Sequence, residues 1–249
     1  MKITDYLNPK VRIIENFVSE EYCNNIIDFT LSNDLWSLEN YKPGGMPEDS
    51  LEHKGWLNYA AQWDNRRINF HTLYLNQSHP ELFKKIWDVK IKAKEQVVDF
   101  FNIADNSFEL ENWEAVRWYY PHMQAAHIDY IDDDFKRSDF PPEADISWFK
   151  PEVEEIYRKQ CQTKHYTAML YLNSDFEGGE LHFPYNNKFE IKPKAGMMVI
   201  FSGDVNAMHG IKQITSGNRY VNTMFWTKTP GPSWPAGWDE HTGNVNKFW

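Results

Sequence analysis

His127 and Asp129 stand two positions apart in the run WYYPHMQAAHIDYIDDD, which spans 118–134. On a strand, positions i and i+2 face the same side, so both side chains can reach one point. An imidazole nitrogen and a carboxylate oxygen together suit zinc, manganese or non-haem iron(II). The pair alone is equally the polar end of a strand, so a third ligand is needed. His209, in DVNAMHGIKQITSGNRY, follows the apolar run Met197–Phe201 and sits just inside the next strand. Ten positions after it, beyond a TSGN turn, comes Arg219. A hairpin over that turn would bring the strand of Arg219 beside that of His209. A buried arginine needs an anion, and a bidentate carboxylate suits it best. A metal triad beside a buried arginine implies a carboxylate-bearing co-substrate.

Other polar residues near these positions have plainer readings. His122 lies five positions before His127 and is expected to cap a turn rather than bind metal. His182, in GELHFP, has apolar strand neighbours and is expected to be a hydrogen-bonded wall residue. Asp132, Asp133 and Asp134 lack the glycine and terminal glutamate of a calcium-binding EF-hand loop, so they are expected to be a solvated loop.

Stepping from these residues to the elements that must hold them, the pattern changes at Phe108. Short alternating or apolar runs follow one another: FELENWEAVRWYY, QAAHID, YTAMLYLN, GELHF, KFEIKP, MMVIFSG, NAMHGIKQI and NRYVNTMFWT. Turn-forming residues cluster between them, which predicts an all-β sandwich or barrel over about 108–228. Residues 1–107 supply support. Val11–Glu15 is predicted as a strand. FVSEEYCNNIIDFTL is predicted as a helix capped by Ser19, with Glu20 and Glu21 in its first turn and Tyr22, Ile26, Ile27 and Leu31 as its apolar stripe. The segment 79–103 is predicted as a longer helix burying Phe83, Ile86, Trp87, Ile91, Val97, Val98 and Phe101. Residues 33–65 are turn-rich and resist assignment. The acidic excursion 130–164 is expected to be functional, since loops of this length are uncommon otherwise. A short helix is expected at PEVEEIYRKQ, with Pro151 at its first position. Residues 229–249 are Gly/Pro-rich and predict a surface wrap. No repeat or linker divides the chain, so 1–249 is expected to be one domain.

The bulk composition excludes several classes. The chain has 249 residues, and its 16% aromatic content fills a core easily. A net charge of −10 repels phosphate backbones, and lysine and arginine are scattered, so no nucleic-acid partner is expected. Cys23 and Cys161 form neither a zinc pattern nor a disulfide framework. No apolar run approaches the roughly 18 residues of a membrane span, and the opening lacks a signal-peptide core. A soluble, cytoplasmic protein without a membrane partner is expected. Oligomeric state is not legible.

These residues resemble the Fe(II)/2-oxoglutarate-dependent dioxygenases, in particular their prolyl 4-hydroxylase-like branch. That family carries His-x-Asp, a distal histidine and a basic residue nine or ten positions beyond it. YLNSDFEGGELHFP and IKPKAGMMVIFSGDVNAMHGIKQITSGNRY resemble its blocks in order, and VRIIENFVSEEYCNNIIDF resembles its opening strand and helix. The resemblance spans roughly 11–228 and is densest over 115–228. It implies an α+β, mainly β fold: a double-stranded β-helix (a jelly-roll, cupin-like barrel) with supporting N-terminal helices. It implies His127, Asp129 and His209 as iron ligands and Arg219 as the clamp on the distal carboxylate of 2-oxoglutarate. Tyr171 would support that carboxylate, and Tyr120 would stand near the co-substrate. Met169 would pack on the co-substrate methylenes, and Thr223 and Val221 share the face of Arg219. The family usually has glycine where this chain has His122.

The implied cofactors are Fe(II), 2-oxoglutarate as co-substrate and O2, with ascorbate a candidate reductant. The implied reaction couples decarboxylation of 2-oxoglutarate to succinate and CO2 with hydroxylation of a C–H bond. The expected substrate is a prolyl residue or related side chain of a protein or peptide, or else a free amino acid or other small molecule. Asp129 argues against the radical halogenases, which lack that carboxylate. RYVNTMFW lacks the second arginine of the nucleic-acid demethylases. A cupin-type metalloenzyme would be expected to carry His-x-His, which is absent here. A non-catalytic jelly-roll binding protein would not require Arg219 and Tyr171. Specificity in such barrels lives in loops, so 130–164 is expected to be a lid over the substrate.

Overall fold

The structure, a computed structural model, describes residues 1–33, 67–69, 79–104, 109–147, 149–151, 154, 158, 164–228, 238–239 and 244–245. The turn-rich 33–65 region and most of the 229–249 tail lie outside the described residues.

Two strands show why the apolar runs are nearly continuous. β6 (Tyr166–Tyr171) and β10 (Met198–Ser202) are buried at every position. Side chains alternate across a strand, so a strand covered on both faces needs apolar residues on both. Ala168, Leu170 and Ile200 enter a core shared with the helices, whereas Met169, Tyr171, Val199 and Phe201 enter a second core between two sheets.

The larger sheet has seven strands, in the order β1 (Lys2–Leu7), β2 (Lys10–Glu15), β10, β6, β13 (Asn218–Thr227), β4 (Glu109–Tyr119), β3 (Arg67–Asn69). The smaller has four, in the order β5 (Gln124–His127), β11 (His209–Ile211), β8 (Leu181–Phe183), β9 (Phe189–Ile191). Two short pairs complete the described strands: β7 (Glu177–Gly178) with β12 (Ile214–Ser216), and β14 (Trp238–Asp239) with β15 (Asn244–Val245). Every pairing is antiparallel. Two such sheets closing on one core, with helices outside the larger, make the expected double-stranded β-helix.

One expectation is corrected by this topology. The strand of Arg219 is not a hairpin neighbour of the strand of His209. β11 pairs with β5 and β8, while β13 pairs with β4 and β6 in the other sheet. The chain crosses between sheets through β12, which takes β7 as its partner. Arg219 therefore meets the histidines across the sandwich rather than alongside.

Both helices form where predicted, and Tyr22, Ile26 and Ile27 of the first and Phe83, Ile86, Trp87, Val97, Val98 and Phe101 of the second pack on the core as expected; Leu31 and Ile91 do not. α1 (Glu20–Ser32) starts at Ser19, whose Oγ accepts from Tyr22 N at 3.1 Å. It buries Cys23, Ile26 and Thr30, and Leu31 is 49% exposed. α2 (Pro80–Phe101) buries Ile86, Val89, Lys90, Ala93, Val97 and Phe100, leaving Ile91 at the surface. Lys90 is what hid this face. It is 0% exposed, with Nζ 4.1 Å from the Trp87 ring centroid and 5.8 Å from that of Trp226. The indole faces attract the ammonium, so a charged residue sits at an apolar position of the 3.6-residue repeat.

A third core lies under the excursion after Asp129. Ile128, Ile131, Phe135, Phe140 and Phe149 pack with Met208. Arg158 ties the start of this loop down, donating to Phe135 O at 2.7 Å and pairing with Glu154 at 2.8 Å. Pro151, Glu154 and Arg158 are helical, at the place where the short helix was expected.

Ile200 belongs to the helix-side core and points away from the space between the sheets. Ile200→Ala is expected to cost about 2–5 kcal/mol, read as a lowered denaturant midpoint with an unchanged slope. A loss below about 1 kcal/mol would mean that the helices do not close this face.

Candidate active site

His127 and His209 are direct partners in the β5–β11 pair, and their ring centroids are 4.5 Å apart. Asp129 follows β5, where the chain leaves the sheet. Its N–H and that of Tyr130 both donate to Gly203 O, at 2.8 and 2.9 Å. A side chain at Gly203 would prevent this approach, since a Cβ there would lie 2.2 Å from Lys164 O and 3.2 Å from Asp129 Cβ. Asp129 Oδ1 lies 3.5 Å from His127 Nε2, and Oδ2 lies 3.7 Å from His209 Nε2. One ligand atom from each of the three residues lies within 4.8 Å of the others.

The outward-facing ring atoms fix the tautomers. Each Nδ1 lies 3.0 Å from a backbone carbonyl two residues earlier, Ala125 O for His127 and Ala207 O for His209. A carbonyl only accepts, so each Nδ1 carries the proton and each Nε2 offers its lone pair to the cluster. Asp129 is oriented by Thr167, whose Oγ1 donates to Oδ2 at 2.7 Å. Burial pushes the Asp129 carboxyl up, but His209, His127 and the Thr167 hydroxyl outweigh it and hold the group well below the usual carboxylate range. Burial lowers His209 to about 4, with Asp129 opposing. An ionised carboxylate and neutral imidazoles are the forms that bind metal. Two nitrogens and one oxygen, leaving other positions open, suit iron(II).

Across the sandwich, β13 and β6 pair so that Phe225 meets Thr167, Thr223 meets Met169 and Val221 meets Tyr171. Arg219 lies one pleat further on. It is 0% exposed, and its Nε and both terminal nitrogens have no hydrogen-bond partner among the described residues. Its Cζ is 5.0 Å from the Tyr171 ring centroid and 5.8 Å from that of Trp118. Its stem crosses Gly179, which has φ +70° and where an added Cβ would lie 3.0 Å from Arg219 Cδ. Burial lowers the pKa of Arg219, and the neighbouring Tyr171 opposes this. A guanidinium stays protonated in proteins, so this is a buried cation whose donors call for an anion. From Thr167 at the cluster to Tyr171 at the arginine is roughly 13 Å of strand.

A cavity beside the cluster is lined by the three cluster residues with Trp118, Gln124, Met169, Thr223 and Phe225 among others. The structure thus brings Met169 and Thr223 to the cavity, and Tyr171 to Arg219. Tyr120 does not join them. It is 64% exposed in the Tyr119–His122 turn, where His122 N donates to Tyr119 O at 2.7 Å. β4 ends at Tyr119, so the alternation that would have turned Tyr120 inward stops one residue short. Trp118, the register partner of Arg219, takes the inward place. Strand parity along β4 would have identified Trp118.

Gln124 had no such signal. Gln124 pairs with Ile211 and His127 with His209, across a register shift. That bulge lets residues three apart share a face. Thr167 and Gly203 likewise act on Asp129 through contacts distant in sequence. His182 lies between the inward-facing Leu181 and Phe183, its Nε2 against Gly210 and outside the cluster. The carbonyls of Asp132 and Asp133 face Arg158, and their side chains are exposed.

Residues 116–227 match the family model of the 2OG-Fe(II) oxygenase superfamily. Prolyl 3-hydroxylase 2 of Gallus gallus is 36% identical over 96 residues, covering 36% of this chain and 14% of that protein. Prolyl 3-hydroxylase 2 of Homo sapiens is 30% identical over 152 residues, covering 58% of this chain and 20% of that protein. The chain thus spans a fifth or less of the length of these relatives. In fold, a prolyl 4-hydroxylase from Phytophthora capsici aligns over 90% of this chain and 61% of its own, with a TM-score of 0.50 and 15% identity. Among the described residues, no helix is long and apolar enough to cross a membrane. The matched segment contains His127, Asp129, His209 and Arg219, so the site described above lies within the part of the chain that is similar to the 2OG-Fe(II) oxygenase superfamily.

Proposed function

We propose that this chain hydroxylates a prolyl residue of a protein or peptide, using iron(II), 2-oxoglutarate and O2. The observation that carries this reading is Arg219, a fully buried guanidinium beside Tyr171 on the sheet facing the His127–Asp129–His209 cluster. Among carboxylate co-substrates, a short dicarboxylate suits this spacing, one end on Arg219 and the other at the cluster. Bound there, iron and 2-oxoglutarate supply O2 activation, with succinate and CO2 as co-products of C–H hydroxylation.

The protein's own residues position and exclude. His127 and His209 present Nε2 because their Nδ1 protons are engaged by carbonyls. Thr167 holds Asp129 in one orientation. Arg219, flanked by the rings of Tyr171 and Trp118, receives the distal carboxylate in a site free of competing water, where charge pairing is strong. Met169 and Thr223 form the wall between the two ends. A cupin-type enzyme or a jelly-roll binding protein gives no reason for the unpaired Arg219.

The prolyl target draws its support from the relatives that bear that name. The same chemistry on a free amino acid or small molecule is the alternative. Product analysis with proline-containing peptides and free amino acids separates them, and resolving 3- from 4-hydroxyproline fixes the position attacked. The reading keeps 1–249 as one domain, 130–164 as the substrate-side loop and a cytoplasmic setting.

Adding 2-oxoglutarate to the anaerobic iron(II)-loaded protein is expected to give a visible charge-transfer band, and air should then yield succinate. Absence of both the band and succinate would sink the proposal. Arg219→Ala is expected to weaken 2-oxoglutarate binding on the order of 100-fold with metal affinity retained. Equal loss of both would mean that Arg219 supports the metal side. Thr167→Val should lower metal affinity by ~10- to 100-fold, as loss of a ligand-orienting partner does, with Thr167→Ser restoring most of it.

A further inference from the structure

Gln124 is unused in the account above, although its side chain lines the cavity. Its Nε2 lies 3.1 Å from His127 Nε2. His127 Nδ1 is the donor toward Ala125 O, so His127 Nε2 is an acceptor and the Gln124 amide donates to it. The amide N–H is therefore aimed at the lone pair through which His127 binds metal. With that lone pair on a metal, the half-buried amide stands at the rim of the coordination sphere with its donor available to another acceptor at the cavity.

The place of Gln124 along the barrel says which acceptor is near. On β5 it is displaced from the His127–His209 pair toward Ile211. Further the same way, Ile214 N donates to His122 O at 2.9 Å, and Ile214 and Arg219 both pack on Gly179. Gln124 thus stands on the side of the cluster nearer Ile211 and Ile214, and Ile214 shares Gly179 with Arg219. An anion anchored on Arg219 must pass this side to reach the cluster, so its second carboxylate arrives beside the Gln124 amide. A neutral donor is well matched here. It engages a carboxylate without adding charge beside Asp129.

We propose that Gln124 is a co-substrate-positioning residue whose side-chain amide donates to the metal-side carboxylate of 2-oxoglutarate. This rests on the function proposed above. The test uses the full chain as wild type, Gln124→Leu and Gln124→Glu. Each is titrated anaerobically with iron(II) alone and then with 2-oxoglutarate, following the visible band. For Gln124→Leu, metal affinity should be unchanged or tighter, which also shows that the barrel is intact. Its 2-oxoglutarate affinity should fall at least ~10-fold, as for loss of a hydrogen bond to a charged group, with the band displaced. Gln124→Glu should lose more, by repulsion between carboxylates. A Gln124→Leu protein whose band stays in place and whose affinity changes by less than that overturns the assignment. Loss of metal affinity in Gln124→Leu also overturns it, by making Gln124 a support of the metal. A wild-type protein without a band overturns the reading beneath, and this assignment with it.

Discussion

Arg219 carries a full charge into a space where none of its guanidinium nitrogens meets a protein acceptor among the described residues. Desolvating an ion costs several kcal/mol, and most of the surrounding structure can be understood as tolerating that cost. The rings of Tyr171 and Trp118 flank the cation and offset part of it. Gly179 gives the stem room where any Cβ would press on it. β13 is held between β4 and β6, and its other face is closed by the helix-side core through Tyr220, Met224 and Trp226. Arg219 is fully buried, so bulk solvent does not relieve the penalty, and an entering anion would. A residue so placed weakens the protein alone and strengthens its complex.

The metal side obeys the opposite logic. The cluster residues satisfy one another and their neighbours: carbonyls on the imidazole Nδ1 atoms, a hydroxyl on the carboxylate, backbone N–H groups tied to Gly203. These contacts come from both sheets. His127 and His209 belong to the smaller, Thr167 to the larger, and Gly203 follows the strand that joins β2 to β6. The distance from the cluster to Arg219 is therefore set by how the sheets close on the inter-sheet core of Val199, Phe201, Leu181 and Phe183. That core is a spacer as well as a source of stability. A substitution there that preserved stability but changed volume would still act on co-substrate binding, because packed interiors transmit strain.

Much of this was legible in sequence because local rules and tertiary demands agree. Strand periodicity found the core strands, Ser19 announced its helix, and type and spacing singled out His127, Asp129 and His209, which the fold brings within 4.8 Å of one another. The misses share a cause, which is long-range contact overriding local pattern. Lys90 breaks an apolar helix face because Trp87 and Trp226 receive it. Tyr120 fails because β4 ends one residue before parity could turn it inward. Gln124 was invisible because a bulge, not alternation, sets its direction. The convergence of Arg219 with the histidines was expected through a hairpin and is reached across the sandwich, since β12 finds its partner in β7 instead.

The excursion after Asp129 extends the same coupling outward. Ile128 and Ile131 flank Asp129 on its own chain, and Met208 immediately precedes His209. All three pack with Phe135, Phe140 and Phe149 in one cluster. The described part of the loop is thus a buttress behind two ligand-bearing segments at once. Arg158 fixes its origin by donating to the backbone carbonyl of Phe135, and Glu154 holds Arg158 in place. Asp132, Asp133 and Asp134 are exposed at the surface of the loop, while its aromatic side packs with Ile128, Ile131 and Met208. Any force on the outer surface of this loop has a short, packed route to Asp129 and His209. Substrate contact there would act on ligand geometry directly, without requiring the loop to open or close.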